Sequence, residues 1–181
     1  MAKISWAGQL CFEISVSNSR DHEANILIDP MPKTFGDILL ATNGYDKNIP
    51  VKGEPFVIDS PGEYEVKGVF VRGIPAGENT IYIMEAEDIK FCHLGNLSQQ
   101  LTDEQLEKID TVDILMVSDS DEAKKIIAQI EPKIVIPMDF SSAEKFLKTM
   151  GKPSVAPVDK LSIKAKDLPK EGAMEIAVLK S

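Results

Sequence analysis

The chain has 181 residues and a formal charge of −9 at pH 7, long enough for one domain with a sizeable core. The acidic balance argues against nucleic acid as a partner, because phosphate contacts need clustered Lys and Arg. No run of about 18 apolar residues is present, so no membrane-spanning helix is expected. The opening MAKISWAGQLCFEI lacks the apolar h-region of a signal peptide.

The expectation is therefore a cytoplasmic protein with no membrane and no nucleic-acid partner. Cys11 and Cys92 lie in apolar, strand-like runs and read as reduced and buried, although a disulfide between them stays open. The acidic side chains are concentrated before residue 140. The tail beyond it is rich in lysine (Lys145, Lys148, Lys152, Lys160, Lys164 among others), which reads as a solvated face balancing an acidic body.

In chain order, Lys3–Trp6 is a short strand candidate, and Leu10–Val16 alternates apolar and polar residues as a half-buried strand does. His22 sits among polar residues in the next turn and reads as solvated. Asn25–Ile28 returns as a strand that ends at Asp29-Pro30. Ile38-Leu39-Leu40 has the look of a strand buried on both faces; it stops at the polar run from Thr42 to Asn48, a loop of the kind in which function concentrates. After the short apolar run Phe56-Val57-Ile58, Ser60-Pro61-Gly62-Glu63 signals a turn. Tyr64–Val71 then reads as one alternating strand, Gly73–Asn79 as a tight connection, and Thr80–Met84 and Ile89–Cys92 as further strands. Up to here the pattern is an antiparallel meander.

The second half alternates strands with helices. Thr102 and Gln105 form a capping box, Leu101 and Leu106 a hydrophobic staple, and a short helix should run to about Ile109. Val112–Val117 is a buried strand. Ser120 or Asp119 is expected to cap a helix whose face is Ala123, Ile126, Ile127 and Ile130, stopped by Pro132. Ile134–Ile136 is the next buried strand, ended by Pro137. Ser141 and Glu144 form a second capping box, for a helix with Phe146, Leu147 and Met150 inward and Gly151 at its end. Leu161–Ile163 and Glu175–Leu179 complete the set. The fold class read from this order is α/β (α+β): one domain over residues 1–181, with sheets packed face to face and helices outside.

Two further constellations are weaker. Cys92 and His93 are neighbours on a strand and point to opposite faces, so they do not read as a nucleophile pair. Asp59-Ser60 and Ser118-Asp119-Ser120 read as turn and capping residues rather than as parts of a serine hydrolase.

Several stretches together resemble one family: SWAGQLCFEI, ILIDP at 26–30, DSPGEYEVKGVFVRGIP at 59–75, FCHLGNL at 91–97, LTDEQLEKI at 101–109 and EPKIVIPM at 131–138. They are similar to the small, uncharacterised bacterial metal-dependent hydrolases of the metallo-β-lactamase fold, relatives of the ascorbate-phosphate lactonases. The resemblance covers almost the whole chain. It implies an αββα sandwich of two mixed sheets, with the site on loops along one edge and zinc or manganese as the family's cofactor.

It also implies where the metal ligands should be. The His-rich loop after Leu39-Leu40 is matched here by Asn43, Tyr45, Lys47 and Asn48. The Asp after the HLG turn is Asn96, and the His after IPM is Asp139. The connection that should carry a further His is shortened to Ala76-Gly77-Glu78. Zinc needs about four N, S or O donors, at least three of them usually protein side chains. An ammonium at Lys47 opposes a divalent ion by up to about 8 kcal/mol at roughly 4 Å and an effective dielectric near 20. No cofactor is therefore expected.

Three readings of this vestigial set follow, in order of preference. The polar groups satisfy one another, with Lys47 and Asp139 placed to pair where the cation would sit; or they line a metal-free ligand pocket; or they retain hydrolysis by another route. The corresponding functions are a non-catalytic binding or scaffold protein, for a small-molecule or protein partner, and a hydrolase of a small phosphorylated or lactone-like substrate using Lys47 or Asp139. A third function is an assembly protein, including a homo-oligomer, built through a sheet edge or the basic tail.

Overall fold

The alternation in the first seventeen residues closes into a hairpin. The computed structural model describes residues 1–17, 23–138, 143–170 and 172–181. In it β1 (Ala2–Gly8) and β2 (Cys11–Ser17) run antiparallel, with Ile4 opposite Ile14 and Trp6 opposite Phe12. β3 (Glu23–Ile28) pairs antiparallel with β2. β4 (Ile38–Leu40) and β5 (Phe56–Ile58) then add in parallel, which departs from the meander expected for this half. The long connections 29–37 and 41–55 allow the chain to return and run the same way again, which a two-residue turn cannot do. β12 (Leu161–Ile163) joins the far side of β1, so the six-stranded sheet is ordered β12-β1-β2-β3-β4-β5.

The second sheet begins as a meander: β6 (Gly62–Val66), β7 (Val69–Ala76), β8 (Asn79–Ala86) and β9 (Ile89–His93). Several boundaries in this sheet differ from the sequence reading. Tyr64–Val71 is not one strand: it folds back at Lys67-Gly68, where φ is 52° and 77°, the positive pair whose twist suits a two-residue hairpin. Gly73–Pro75 is not connection but strand, because β7 runs to Ala76 and the turn is confined to Gly77-Glu78. The expected turn at 60–63 is likewise shorter, since Gly62 and Glu63 already pair with Gly73 and Arg72. β10 (Ile114–Val117), β11 (Ile134–Pro137) and β13 (Glu175–Ile176) add in parallel, giving the order β13-β11-β10-β9-β8-β7-β6. The strand expected over 175–179 shrinks to two residues, and Leu179 makes only an isolated bridge to Val158.

Between the sheets lies the main core, including Ile4, Phe12, Ile14, Ile26, Val71, Tyr82, Phe91 and Met116. The outer face of the seven-stranded sheet, with Ile81, Ile83, Cys92, Leu115 and Val135, carries α1 (Asp103–Ile109), α2 (Ala123–Ile130) and α3 (Ala143–Thr149). The α1 capping box forms as expected, with Gln105 N–H donating to Thr102 Oγ1 at 3.2 Å and Thr102 N–H donating to Gln105 Oε1 at 3.0 Å. α2 buries Ala123, Ile126, Ile127 and Ile130, but its N-cap is Glu122, in helical conformation and without a side-chain cap, rather than Ser120 or Asp119. The Ser120 carbonyl accepts from Ala123 N–H at 3.0 Å, so a turn occupies the place a capping side chain would have taken.

The outer face of the six-stranded sheet buries Cys11, Leu27, Leu39 and Ala41 under Met31, Tyr45 and Val51 from the long connections. Cys11 and Cys92 are both free and buried, and they face opposite sides of the sandwich, so no disulfide joins them. Burial pushes the Cys11 thiol up to about 12 and raises Cys92 as well. No helix among the described residues is long and apolar enough to cross a membrane. His22, Asp139 and Ser141 lie outside the described residues.

Candidate functional site

β4, β9 and β10 reach one edge of the sandwich, where their following loops meet, and Met138, just past β11, lies beside Ser118 there. Asp29, just past β3, adopts φ 45°, and its carboxylate accepts from Thr42 N–H at 2.8 Å and from Thr42 Oγ1 at 2.7 Å. Thr42 is buried, and its carbonyl accepts from Thr80 N–H at 2.7 Å, tying the first sheet to the start of β8. The neighbouring Asn79 amide bridges onward: Nδ2 donates to the Leu94 carbonyl at 2.8 Å, and Oδ1 accepts from Asn96 N–H at 3.2 Å. Gly95 sits inside this bridge. A Cβ there would lie 2.1 Å from Asn79 Oδ1 and 2.8 Å from Thr42 Cβ, and its φ is +61°, so only glycine fits. Ser118 Oγ completes the stitch by donating to the Gly95 carbonyl at 3.2 Å.

His93 lies just inside, fully buried, with its ring 5.7 Å from Phe12 in edge contact. Gly95 N–H donates to Nδ1 at 3.1 Å, so Nδ1 is unprotonated and Nε2–H donates to the Leu10 carbonyl at 3.0 Å. Both nitrogens are spent, and burial holds the imidazole below its ordinary pKa, in the neutral form. Cys92 faces the helices instead, so the two do not meet. Tyr82 closes the floor, its hydroxyl donating to the carbonyls of Ile58 (3.1 Å) and Ala41 (3.3 Å); burial raises its pKa.

Of the residues singled out from the sequence, Asn43 and Asn96 follow Thr42 and Gly95, which meet at the edge, and Asp139 lies outside the described residues. Asn43 and Lys47 are exposed. Tyr45 packs on the outer face of the first sheet, beside Cys11 and Leu39, rather than at the edge. Asn48 is folded onto its own loop, with backbone N–H and Nδ2 both donating to Asp46 Oδ1, at 2.9 and 2.8 Å. Asn96 reaches the edge through its backbone, while its side chain is exposed. The groups that build the edge are Asp29, Thr42, Asn79, His93, Gly95 and Ser118. Asp29 and Asn79 carry no periodic or metal-spacing signature, since each is a lone polar residue at a strand boundary. Gly95, between a leucine and an asparagine in the HLGN run, is the one whose need could have been suspected.

These donors do not fit a divalent cation. Zinc centres take about three or four protein ligands, and among the described residues no group of three or more His, Cys, Asp or Glu side chains is gathered. Both Asp29 oxygens, both His93 nitrogens and the whole Asn79 amide are bonded to other protein groups.

Beside the stitch opens a cavity of about 420 Å³, lined among the described residues by Trp6, Gln9, Leu10, Ser118, Asp119 and Met138, a volume in the range of small-molecule sites. A hollow of about 480 Å³ lies at the other end of β9 and β10, around Glu65, Glu85 and Asp113. There Lys90 already bridges Glu85 and Asp110.

The family model of the β-lactamase superfamily domain matches residues 3–139. A solved structure from Thermotoga maritima, described as a candidate Zn-dependent hydrolase of the metallo-β-lactamase superfamily, is 28% identical over 99% of this chain and 99% of its own, with a TM-score of 0.82. Igni18, a metallo hydrolase from Ignicoccus hospitalis, is 14% identical over 90% of this chain and 99% of its own, with a TM-score of 0.60. YhfI, a metallo-β-lactamase fold protein from Bacillus subtilis, is 8% identical over 100% of this chain and 98% of its own, with a TM-score of 0.54. The latter two likenesses concern the fold. The chain finds no match among curated proteins.

Proposed function

The chain belongs to the β-lactamase superfamily, and from that membership we propose that it is a metal-independent binding domain that keeps the edge pocket of the fold without a cation centre. The observation that carries this reading is the Asn79 amide, which joins the β7–β8 hairpin to the turn after β9 with both of its ends used. In this reading the Asn79 bridge and the Asp29–Thr42 pair hold the edge loops together, the work a shared cation would otherwise do. A metal entering here would have to displace the two charge-assisted bonds on Asp29, each worth about 1.5–3 kcal/mol. Among the described residues it would recover too few donors to offset that loss.

The Thermotoga relative, described as a candidate Zn-dependent hydrolase, favours a second reading: hydrolysis of a small phosphorylated or lactone-like substrate. That reading needs an activated water or side-chain nucleophile. The one described histidine at this edge is buried and doubly bonded, and so is not available as a base.

A calorimetric titration of the chelator-treated protein with Zn²⁺ or Mn²⁺ tests the proposal. No saturable heat is expected. A saturable transition at one ion per chain would overturn it.

A further inference from the structure

We infer that the edge pocket selects an organic cation with a flat apolar body, an arylalkyl ammonium being the simplest member of the class. The inference rests on the reading of the edge as a metal-independent pocket and assigns its ligand chemistry. Trp6 lines the cavity with its indole N–H already engaged, donating to the Gln9 carbonyl at 2.8 Å. Leu10 and the buried Met138 supply apolar wall, and Met138 offers a polarisable thioether. Ser118 Oγ is committed to the Gly95 carbonyl, with Met138 Sδ 3.7 Å away. The indole N–H and the Ser118 hydroxyl are thus both spent on protein carbonyls, which leaves the Gln9 amide as the neutral side-chain donor among the described lining residues.

Asp119 supplies the opposite character. Its side chain is only 15% exposed, yet it lines the cavity, and its ion-pair partner, Lys145 Nζ, stands 3.8 Å away on a side chain that is 76% exposed. A contact at that distance to so exposed a cation is weak, so a ligand ammonium can take its place. A carboxylate beside an aromatic side chain in a partly enclosed cavity favours a cation over an anion or a neutral isostere, since the ring quadrupole and the carboxylate attract the same charge. The net charge of −9 favours the approach of the same species.

The chain has a single tryptophan, so intrinsic fluorescence reports directly on the pocket. Phenethylamine, protonated at neutral pH, is titrated into the full chain alongside 2-phenylethanol and 3-phenylpropanoate. Saturable perturbation of Trp6 by the amine is expected, with the alcohol about tenfold weaker and the carboxylate silent. Asp119→Asn should weaken the amine about tenfold and leave the alcohol unchanged. Lys145→Ala should tighten the amine by up to about fivefold, because it removes the competing cation. Circular dichroism checks that both variants are folded. Equal binding of amine and alcohol, no effect of Asp119→Asn, or no response to any of the three compounds would overturn the inference. A protein that takes up one Zn²⁺ per chain and still binds the amine refutes the metal-free reading alone; one that takes up neither refutes the present inference alone.

Discussion

Gly95 and Asn79 form a lock that can be tested as a pair. A methyl group at 95 meets Asn79 Oδ1 at 2.1 Å and sits on a backbone with φ +61°, so Gly95→Ala should cost about 2–4 kcal/mol of unfolding free energy in urea. Asn79→Ala removes two hydrogen bonds and leaves the Leu94 carbonyl and the Asn96 amide without their partner, at about 1–3 kcal/mol. The double variant should cost less than the sum, because removing the amide removes the tightest clash at 95, while Thr42 Cβ at 2.8 Å and the positive φ still act; strict additivity would show that the Asn79 contact is not a source of the strain. His93 sets a pH dependence. Its folded-state pKa lies below the unfolded value near 6.5, so the unfolded chain binds the extra proton first. Stability is full above about pH 6.5 and falls as pH drops below it, until the folded-state imidazole also titrates. His93→Gln, which keeps a donor and an acceptor but cannot charge, should flatten this limb of the stability profile between about pH 6.5 and the carboxylate range; an unchanged limb would assign it to other groups.

At the scale of elements, what could be read from the sequence was what local chemistry determines. The Thr102/Gln105 box, the Ala123-Ile126-Ile127-Ile130 face and the buried run Ile38-Leu39-Leu40 each declare themselves through spacing alone, and all three are present. Thr102→Ala should lower stability by about 1 kcal/mol, read as a shift of the urea midpoint at constant slope; no shift would mean that tertiary packing alone holds α1. The hairpin at Lys67-Gly68 is hidden in the sequence because a single glycine inside an alternating run looks like continuing strand until the φ of 52° at Lys67 is known. The parallel entry of β4 and β5 is hidden for a different reason. Strand direction is decided by where connections 29–37 and 41–55 travel, and nothing in Ile38-Leu39-Leu40 encodes that. Met138 and Trp6, which line the same cavity, are far apart in sequence and carry no shared pattern.

At the scale of the whole molecule, the two mixed sheets and the β-lactamase superfamily membership agree with the resemblance carried by PGEYEVKGVFVRGIP and HLGNL. Among the described residues the helical cover lies on the seven-stranded side, while connections from 29–55 cover the six-stranded side. The site was less legible than the fold. Matching residues to a metal motif marked Asn43, Tyr45, Lys47 and Asn48, yet Tyr45 packs on an outer sheet face and Asn48 folds onto Asp46. The groups that hold the edge closed, Asp29, Thr42 and Asn79, do so largely through backbone partners, which no side-chain motif records. Whether the edge holds without a cation is decided by the metal content of protein purified without chelators, determined by elemental mass spectrometry. Far less than one equivalent of zinc, manganese or iron per chain is expected; a reproducible single equivalent that is lost, together with thermal stability, on chelation would contradict a metal-free edge.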